Sequence, residues 1–222
     1  FREMGFNSTV RRVPVFGLGC AGGVSGLGIA QALASSEPGS NVLLVVIEAC
    51  TLSFRSDRLQ KADIIATILF GDGAAAAILS TNQRSNIKLH KGSEHLWPDT
   101  LGIMGWDVDT TGLGVVFDRS IPAFAQEHMA TVAHKAIEDS GFERKKLARY
   151  VFHPGGAKVV EALETALESH LHQLSFNWDL ALKVDISYQV TDYSFNCDMI
   201  LLIPGEAIQN IQKVLDRILN EF

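Results

Sequence analysis

The stretch VFGLGCAGGVSGLGIA, residues 15–30, decides the fold, because an apolar run gives way there to a helical pattern around Cys20. The first-turn N–H groups and the dipole of a helix favour an anion, so a thiol at this point is predicted to serve as a nucleophile. The alternative is that Cys20 fills space in a crowded turn, as buried cysteines often do. An α/β-hydrolase elbow is disfavoured, since Leu18 stands where that motif has glycine.

Composition narrows the class of protein. The chain has 222 residues, of which 47% are hydrophobic, so it can bury a real core. The formal net charge of −6 means that acidic residues outnumber basic ones, which argues against nucleic acid or an anionic membrane as a partner. The apolar runs are too short to span a bilayer. Because the chain starts at Phe1 without a signal-peptide pattern, we expect the later part of a longer, cytoplasmic protein.

Cysteine and histidine spacing predicts neither a disulfide scaffold nor a metal site. The three cysteines, Cys20, Cys50 and Cys197, are odd in number and form no CxxC pair, which favours a reducing compartment. His170 and His172 have no third ligand at a suitable spacing. We therefore expect no metal and no resident cofactor.

Strand-like and helix-like stretches alternate along the chain. Strands are predicted at 12–18, at 40–50 as a central strand covered on both faces, at 71–80 as a small-residue strand, and at 149–156; helices are predicted at 21–36, at 56–70 with Ser56 as N-cap, at 120–141 and at 157–169. This alternation predicts one layered α/β domain with a buried, mixed sheet.

His153 is the second candidate for chemistry, because it stands where the predicted strand of RYVFHPGG gives way to a Pro-Gly-Gly turn. An imidazole there could act as a general base or an oxyanion donor, or it could be a structural residue. The stretch 70–73, FGDG, has no lysine and no GxGxxG spacing, so a tight turn is favoured over a phosphate loop.

Four longer stretches occur in one order between residues 9 and 169: RRVPVFGLGCAGGVSGL, FGDGAAAAIL, PDTLGIMGWDVDTTGLGVVF and FHPGGAKVVEALETAL. Together they resemble the type III polyketide synthases, the chalcone-synthase-like enzymes of the thiolase superfamily, and most closely the bacterial branch. The resemblance implies the layered αβαβα thiolase fold. It also implies that this chain holds only the later part of that pseudo-duplicated arrangement, since the family has a further N-terminal half.

The resemblance also implies roles for individual residues. Cys20 matches the nucleophile and His153 the histidine of a Cys-His-Asn triad, whereas Asn196 is the nearest counterpart of its asparagine. Phe70 matches a gatekeeper between a substrate tunnel and a cavity, and Ser53 a position that tunes cavity volume. Residues lining the tunnel or cavity include Val115, which replaces an aromatic gatekeeper, and Gly155 and Gly156.

The implied reaction loads an acyl group from coenzyme A onto Cys20 and extends it with malonyl-CoA, until the polyketide cyclises. Coenzyme A thioesters are then the substrates, and a homodimer is the expected assembly. Two departures stand out: Asn196 lies one position later than expected after Tyr193, with Asn177 as a weaker candidate, and residues 170–222 diverge from the family.

Two other functions remain open at the level of sequence. One is a β-ketoacyl carrier-protein synthase III, which would keep the triad but need a basic docking patch for its carrier protein. The other is a truncated, non-catalytic paralogue that acts only as a dimerisation partner.

Overall fold

Four helices and four strands form the part of the chain that the computed structural model describes, residues 5–58, 60–82, 89–143, 152–153 and 155–168. The helices are α1 (Gly22–Ser36), α2 (Lys61–Leu69), α3 (Ile121–Asp139) and α4 (Ala157–Glu168). The strands are β1 (Asn41–Glu48), β2 (Gly73–Ser80), β3 (Met104–Asp109) and β4 (Gly112–Phe117), and 3₁₀ turns cover Gly19–Ala21 and Cys50–Ser53. Within these residues, every helix is too short or too polar to cross a membrane.

Helix α1 packs on one face of an antiparallel ribbon made of β1 and β2. Ala30 and Ala34 of the helix are buried against Ala77 and Leu79 of β2. A Cβ atom at Gly26 would lie 3.0 Å from Cδ1 of Leu44, so the glycine lets helix and strand approach closely. The predictions of a tightly packed helix at 21–36 and a small-residue strand at 71–80 are confirmed.

The prediction of a central strand covered on both faces is wrong for the described residues. Alternate side chains of β1 turn toward α1, whereas Val45 and Ile47 are on the other side and remain exposed. The sheet also differs from the mixed one expected, since both described strand pairs, β1–β2 and β3–β4, are antiparallel. A continuous apolar run identifies a strand. It does not determine whether the neighbouring strands run parallel or antiparallel, or whether both faces of the strand are covered.

Helices α3 and α4 pack against each other. Val160, Leu163 and Leu167 of α4 are buried, as the apolar periodicity of 157–169 predicts, and Ala125 and Ala130 of α3 complete the contact. Helix α3 follows Ser120, and Gly141 after its end has a φ of 77°. Its predicted bounds are therefore confirmed.

Two sequence-based boundaries need correction. Helix α2 begins at Lys61, not at Ser56, because the carboxylate of Asp63 accepts the backbone N–H of Gln60 at 3.1 Å and caps the helix there. Residues 12–18 form no strand, since no described strand pairs with them, and the side chain of Phe16 is 87% exposed. Of the strand predicted at 149–156, residues 149–151 and 154 lie outside the described residues and the other four are not in a strand; all of 169–222 also lies outside the described residues.

Candidate active site

Cys20 lies in the 3₁₀ turn of Gly19–Ala21, directly before α1, and its side chain is half-buried. The turn is formed from left-handed backbone at Gly17, with a φ of 87°, and at Gly19, with a φ of 52°. Such backbone favours glycine, which explains the glycines before the cysteine. The chain thus delivers the thiol to the amino end of a helix, as the sequence predicts.

His153 is half-buried just before α4, where Phe152 packs against the buried face of α3 and α4. The backbone carbonyl of His153 accepts the N–H of Gly155 at 3.0 Å, which turns the chain toward the helix. A Cβ atom at Gly155 would lie 3.4 Å from Cδ2 and 3.6 Å from Nε2 of His153. The glycine therefore leaves space along the imidazole edge.

Cys20 and His153 line one cavity of about 110 Å³, here called the Cys20 cavity, although 133 residues separate them in sequence. Phe70, Gly155 and Gly156, which the sequence also singled out, line the same cavity. Its remaining walls are apolar and come from Leu69, Met104, Phe117, Ile121 and Val159. A thiol and an imidazole facing a space with mainly apolar walls are suited to nucleophilic chemistry from which water is excluded.

A second cavity of about 130 Å³, here called the Cys50 cavity, contains the other two cavity residues predicted from sequence, Ser53 and Val115. The hydroxyl of Ser53 donates to the backbone carbonyl of Cys50 at 2.7 Å, so this small polar side chain is fixed in the turn. Each cavity is smaller than the roughly 300 Å³ of a small ligand pocket.

Phe70 lines both cavities. It follows the last residue of α2, and its ring meets that of Phe117 edge to face, with centroids 6.3 Å apart and planes at 81°. Phe117 and Val115 are two residues apart on β4 and hence on one face of the strand. Sequence reasoning missed Phe117, although its spacing from Val115 was a usable signal.

Cys50 was counted in the sequence but not assigned to the site. Burial, followed by the charge of Glu48 and a hydrogen bond to it, raises the pKa of the Cys50 thiol to about 12. Its Sγ lies 3.6 Å from Oε2 of Glu48. Cys50 therefore stays a neutral thiol at physiological pH and is a poor nucleophile.

Asp72, in the FGDG segment, lines the Cys50 cavity together with Thr51. Its carboxylate accepts the backbone N–H of Thr51 at 2.8 Å and also the hydroxyl of Thr51. These hydrogen bonds, led by that of the hydroxyl, lower the pKa of Asp72. The tight turn predicted for FGDG is not observed: residues 70–72 are irregular backbone between α2 and β2, and Asp72 holds this segment against Thr51.

Asn196, and the weaker candidate Asn177, lie outside the described residues, so the third member of the predicted triad is not placed. The described part of the chain holds no group of three or more histidine, cysteine, aspartate or glutamate side chains that could bind a metal ion.

Solved structures with a similar fold include 1,3,6,8-tetrahydroxynaphthalene synthase from Streptomyces coelicolor A3(2), a bacterial type III polyketide synthase. It has a TM-score of 0.69 and 31% identity over 75% of this chain and 47% of its own. The type III polyketide synthase domain of a type I/III hybrid from Dictyostelium gives a TM-score of 0.66 and 27% identity, over 75% of this chain and 48% of its own. The described fold is therefore the thiolase-like α/β fold of these condensing enzymes.

Sequence comparisons agree. The model for the chalcone and stilbene synthase N-terminal domain matches residues 1–83. The 1,3,6,8-tetrahydroxynaphthalene synthase of Streptomyces peucetius subsp. caesius is 34% identical, over 79% of this chain and 48% of its own. Type III polyketide synthase A of Arabidopsis thaliana is 31% identical, over 78% of this chain and 45% of its own. The chain belongs to the type III polyketide synthase family, and it spans about half the length of these relatives.

Proposed function

We propose that the chain acts as an acyltransferase that builds polyketides from coenzyme A thioesters, with Cys20 as the acyl carrier. The observation that carries the proposal is the joint lining of one cavity by Cys20 and His153, with Phe70 at its border with the Cys50 cavity. The relatives named above are synthases by name.

In the loading step, the thiolate of Cys20 attacks the carbonyl carbon of an acyl-CoA, and coenzyme A leaves as its thiolate, which takes up a proton. An imidazolium at His153 stabilises the cysteine thiolate before attack. The product is a thioester between the acyl group and Cys20, enclosed in a space with apolar walls.

In the extension step, malonyl-CoA loses CO₂ and leaves an enolate of acetyl-CoA. Donors at His153 and, by the sequence resemblance, Asn196 stabilise the enolate oxygen. The enolate carbon attacks the acyl carbonyl on Cys20, the C–S bond breaks, and the Cys20 thiolate is released. The product is a β-ketoacyl-CoA two carbons longer, which returns for further rounds or cyclises.

The two cavities divide the space for the growing chain. Cys20 and His153 lie in one, and Ser53 and Val115 line the other. Phe70 borders both, so its ring is placed to control passage between them. We infer that Ser53, Phe70 and Val115 influence how many extensions fit before cyclisation, and that Gly155 and Gly156 keep the approach to His153 open.

We also infer a homodimer in a reducing, cytoplasmic compartment. The exposed apolar side chains on the free face of the β1–β2 ribbon, among them Ile47 and Ile78, favour association, and both described cysteines are free thiols. Sedimentation at several protein concentrations tests the assembly: a stable monomer throughout would contradict it.

Product formation is the test of the activity. The purified chain is incubated with labelled malonyl-CoA and short, long or aromatic acyl-CoA starters, and products are separated and weighed. We expect extended products from the wild type, none from Cys20→Ala, and a loss of at least about 100-fold in His153→Ala. His90→Ala, at an exposed histidine outside both cavities, is the matched control and retains wild-type activity. Retained extension in Cys20→Ala, or no product with any starter, would contradict the proposal.

A further inference from the structure

Two arginines between Ser53 and α2 each bind an acidic side chain of the β3–β4 hairpin. Arg55 donates through its terminal nitrogens to both carboxylate oxygens of Asp109, at 3.1 to 3.2 Å. Nη1 of Arg58 donates to Oδ2 of Asp107 at 3.0 Å. These contacts join chain segments that are about fifty residues apart. They therefore fix the hairpin against the segment that leads into α2.

Each arginine also contacts a second carboxylate, which lies close to it in sequence. Arg55 donates to both carboxylate oxygens of Asp57, at 2.7 and 2.6 Å, and Nε of Arg58 lies 3.7 Å from Oδ1 of Asp63 in the first turn of α2. The side chains of Arg55 and Arg58 are only 8% and 20% exposed. The side chains of Asp57, Asp109 and Asp107 are 53%, 43% and 61% exposed, so each pair joins a largely buried guanidinium to a partly solvated carboxylate.

Gly114 shows that Arg58 fits closely against β4. A Cβ atom at Gly114 would overlap the guanidinium of Arg58 and would come within 3.2 Å of the backbone oxygen of Asp107. Gly114 pairs with Asp107 across the hairpin, so the arginine lies over the middle of the ladder. Only glycine leaves the space that this arginine occupies.

Two residues that follow Gly114 on β4 line the cavities. Val115 lines the Cys50 cavity and Phe117 the Cys20 cavity, and the two share a face of β4 that alternation places opposite Gly114. One strand is thus fixed from one face by Arg58 and supplies a wall to each cavity from the other.

We propose that Arg55 and Arg58 are positioning residues that set the width of both cavities by fixing the β3–β4 hairpin. They touch no reacting atom in this account. The link from cavity width to the number of extension steps rests on the proposed function, but the positioning itself does not.

Thiol accessibility tests the positioning without any need for activity. Cys20 and Cys50 report on the two cavities, and their reaction rates with methanethiosulfonates of increasing size are read peptide by peptide at constant pH. Asp107 is 61% exposed, so loss of its hydrogen bond to Arg58 is worth about 0.5–1 kcal/mol and should raise the rates with the larger reagents about two- to fivefold in Asp107→Asn and in Arg58→Met. Arg58→Lys, which keeps the charge but reaches only one carboxylate, should fall between them and the wild type.

Two further variants separate positioning from a general loss of stability. Gly114→Ala keeps every charge but displaces the arginine, so it should raise the same rates. Asp139→Asn removes a carboxylate from the exposed Lys135–Asp139 pair on α3 and should leave them unchanged. Circular dichroism and urea midpoints are recorded for each. A lower midpoint with unchanged thiol rates in the hairpin variants would overturn the positioning role.

A second experiment measures the length of the polyketide products made by the same variants. If the wild type makes polyketides, Asp107→Asn and Gly114→Ala should shift the distribution toward other chain lengths, whereas Asp139→Asn should not. Failure of the wild type to make any product contradicts the proposed function, and the thiol rates still decide the positioning role. Unchanged thiol rates in the hairpin variants would refute the positioning role, whatever the product lengths.

Discussion

The rings of Phe70 and Phe117 meet edge to face, with centroids 6.3 Å apart, at the boundary between the two cavities. Aromatic pairs in this geometry contribute about 0.5–1.5 kcal/mol beyond the area they bury. Phe70 comes from the end of α2 and Phe117 from the end of β4, so the pair joins a helix to the hairpin. The orientation of the Phe70 ring thus depends on Phe117, a residue that the sequence analysis did not predict to be in the site.

A double-mutant cycle should detect this contact. Phe70→Ala and Phe117→Ala are made singly and together, and the free energy of unfolding is measured in urea. We expect a coupling energy of about 0.5–1.5 kcal/mol, because either single change already removes the ring contact. Phe142, which contacts His90 rather than Phe70, provides the control cycle with Phe70 and should be additive. A coupling energy near zero between Phe70 and Phe117 would show that the rings do not support each other.

Cys50 should resist alkylation. With its pKa raised to about 12 by burial and by Glu48, only about one thiol in ten thousand is ionised at pH 8. The alkylation rate at Cys50, measured by peptide mass spectrometry with iodoacetamide, should rise about tenfold per pH unit from pH 8 to the limit of the folded state. Glu48→Gln should raise the rate at pH 8, whereas Glu127→Gln, an exposed carboxylate on α3, should not. Fast labelling of Cys50 in the wild type at pH 8 would contradict the raised pKa.

The two glycines after His153 should respond differently to alanine. Gly156 has a φ of 120°, a conformation that L residues rarely adopt, so Gly156→Ala should destabilise the fold by about 1–2 kcal/mol or more. At Gly155 the added Cβ would make only ordinary contacts with His153, so Gly155→Ala should be nearly neutral. Urea unfolding of this matched pair is the measurement, and equal loss in both variants would refute the backbone assignment.

Acid should destabilise the fold through the hairpin carboxylates. Hydrogen bonds from Thr111 and then from Arg55 hold the pKa of Asp109 well below its usual range. A hydrogen bond from Arg55 likewise lowers the pKa of Asp57. A lowered folded-state pKa stabilises the fold above the unfolded pKa of about 3.9, and this contribution is lost as the pH falls toward the folded value.

The urea midpoint should therefore decline as the pH falls below about 4, with a shallower decline in Asp109→Asn because one such group is absent. Asp139→Asn, on the exposed face of α3, serves as the control and should keep the wild-type profile. Identical pH profiles for Asp109→Asn and the wild type would exclude Asp109 as a contributor.

The local sequence pattern correctly predicted the helices whose positions depend on residues close to them in sequence. Helix α4 follows from its apolar periodicity, and α3 lies within the predicted range 120–141, although Ser120 at its start makes no side-chain capping hydrogen bond. The start of α2 was misplaced because Ser56 is a good N-cap by type, whereas the reciprocal contact of Gln60 and Asp63 decides the boundary. Residues 12–18 have the composition of a strand, but a strand needs a partner, and composition does not supply one.

The residues of the candidate site likewise fall into those that short motifs predict and those that only the folded structure reveals. Cys20, His153 and Phe70 stand in short motifs with family-like spacing, so the sequence could single them out, and the structure brings them to one cavity. The contacts of Arg55 with Asp109 and of Arg58 with Asp107 span about fifty residues and have no local signal. The raised pKa of Cys50 likewise depends on burial and on charges that only the folded chain assembles.

The most direct test of the account is the mass of the protein after brief exposure to an acyl-CoA without malonyl-CoA. Intact mass spectrometry should show the addition of one acyl group, and peptide mapping should place it on the peptide that contains Cys20. Cys20→Ala should remain unmodified, and Cys50 should carry no label in either protein. An acyl group found elsewhere, or its retention by Cys20→Ala, would contradict the claim that Cys20 is the acyl carrier.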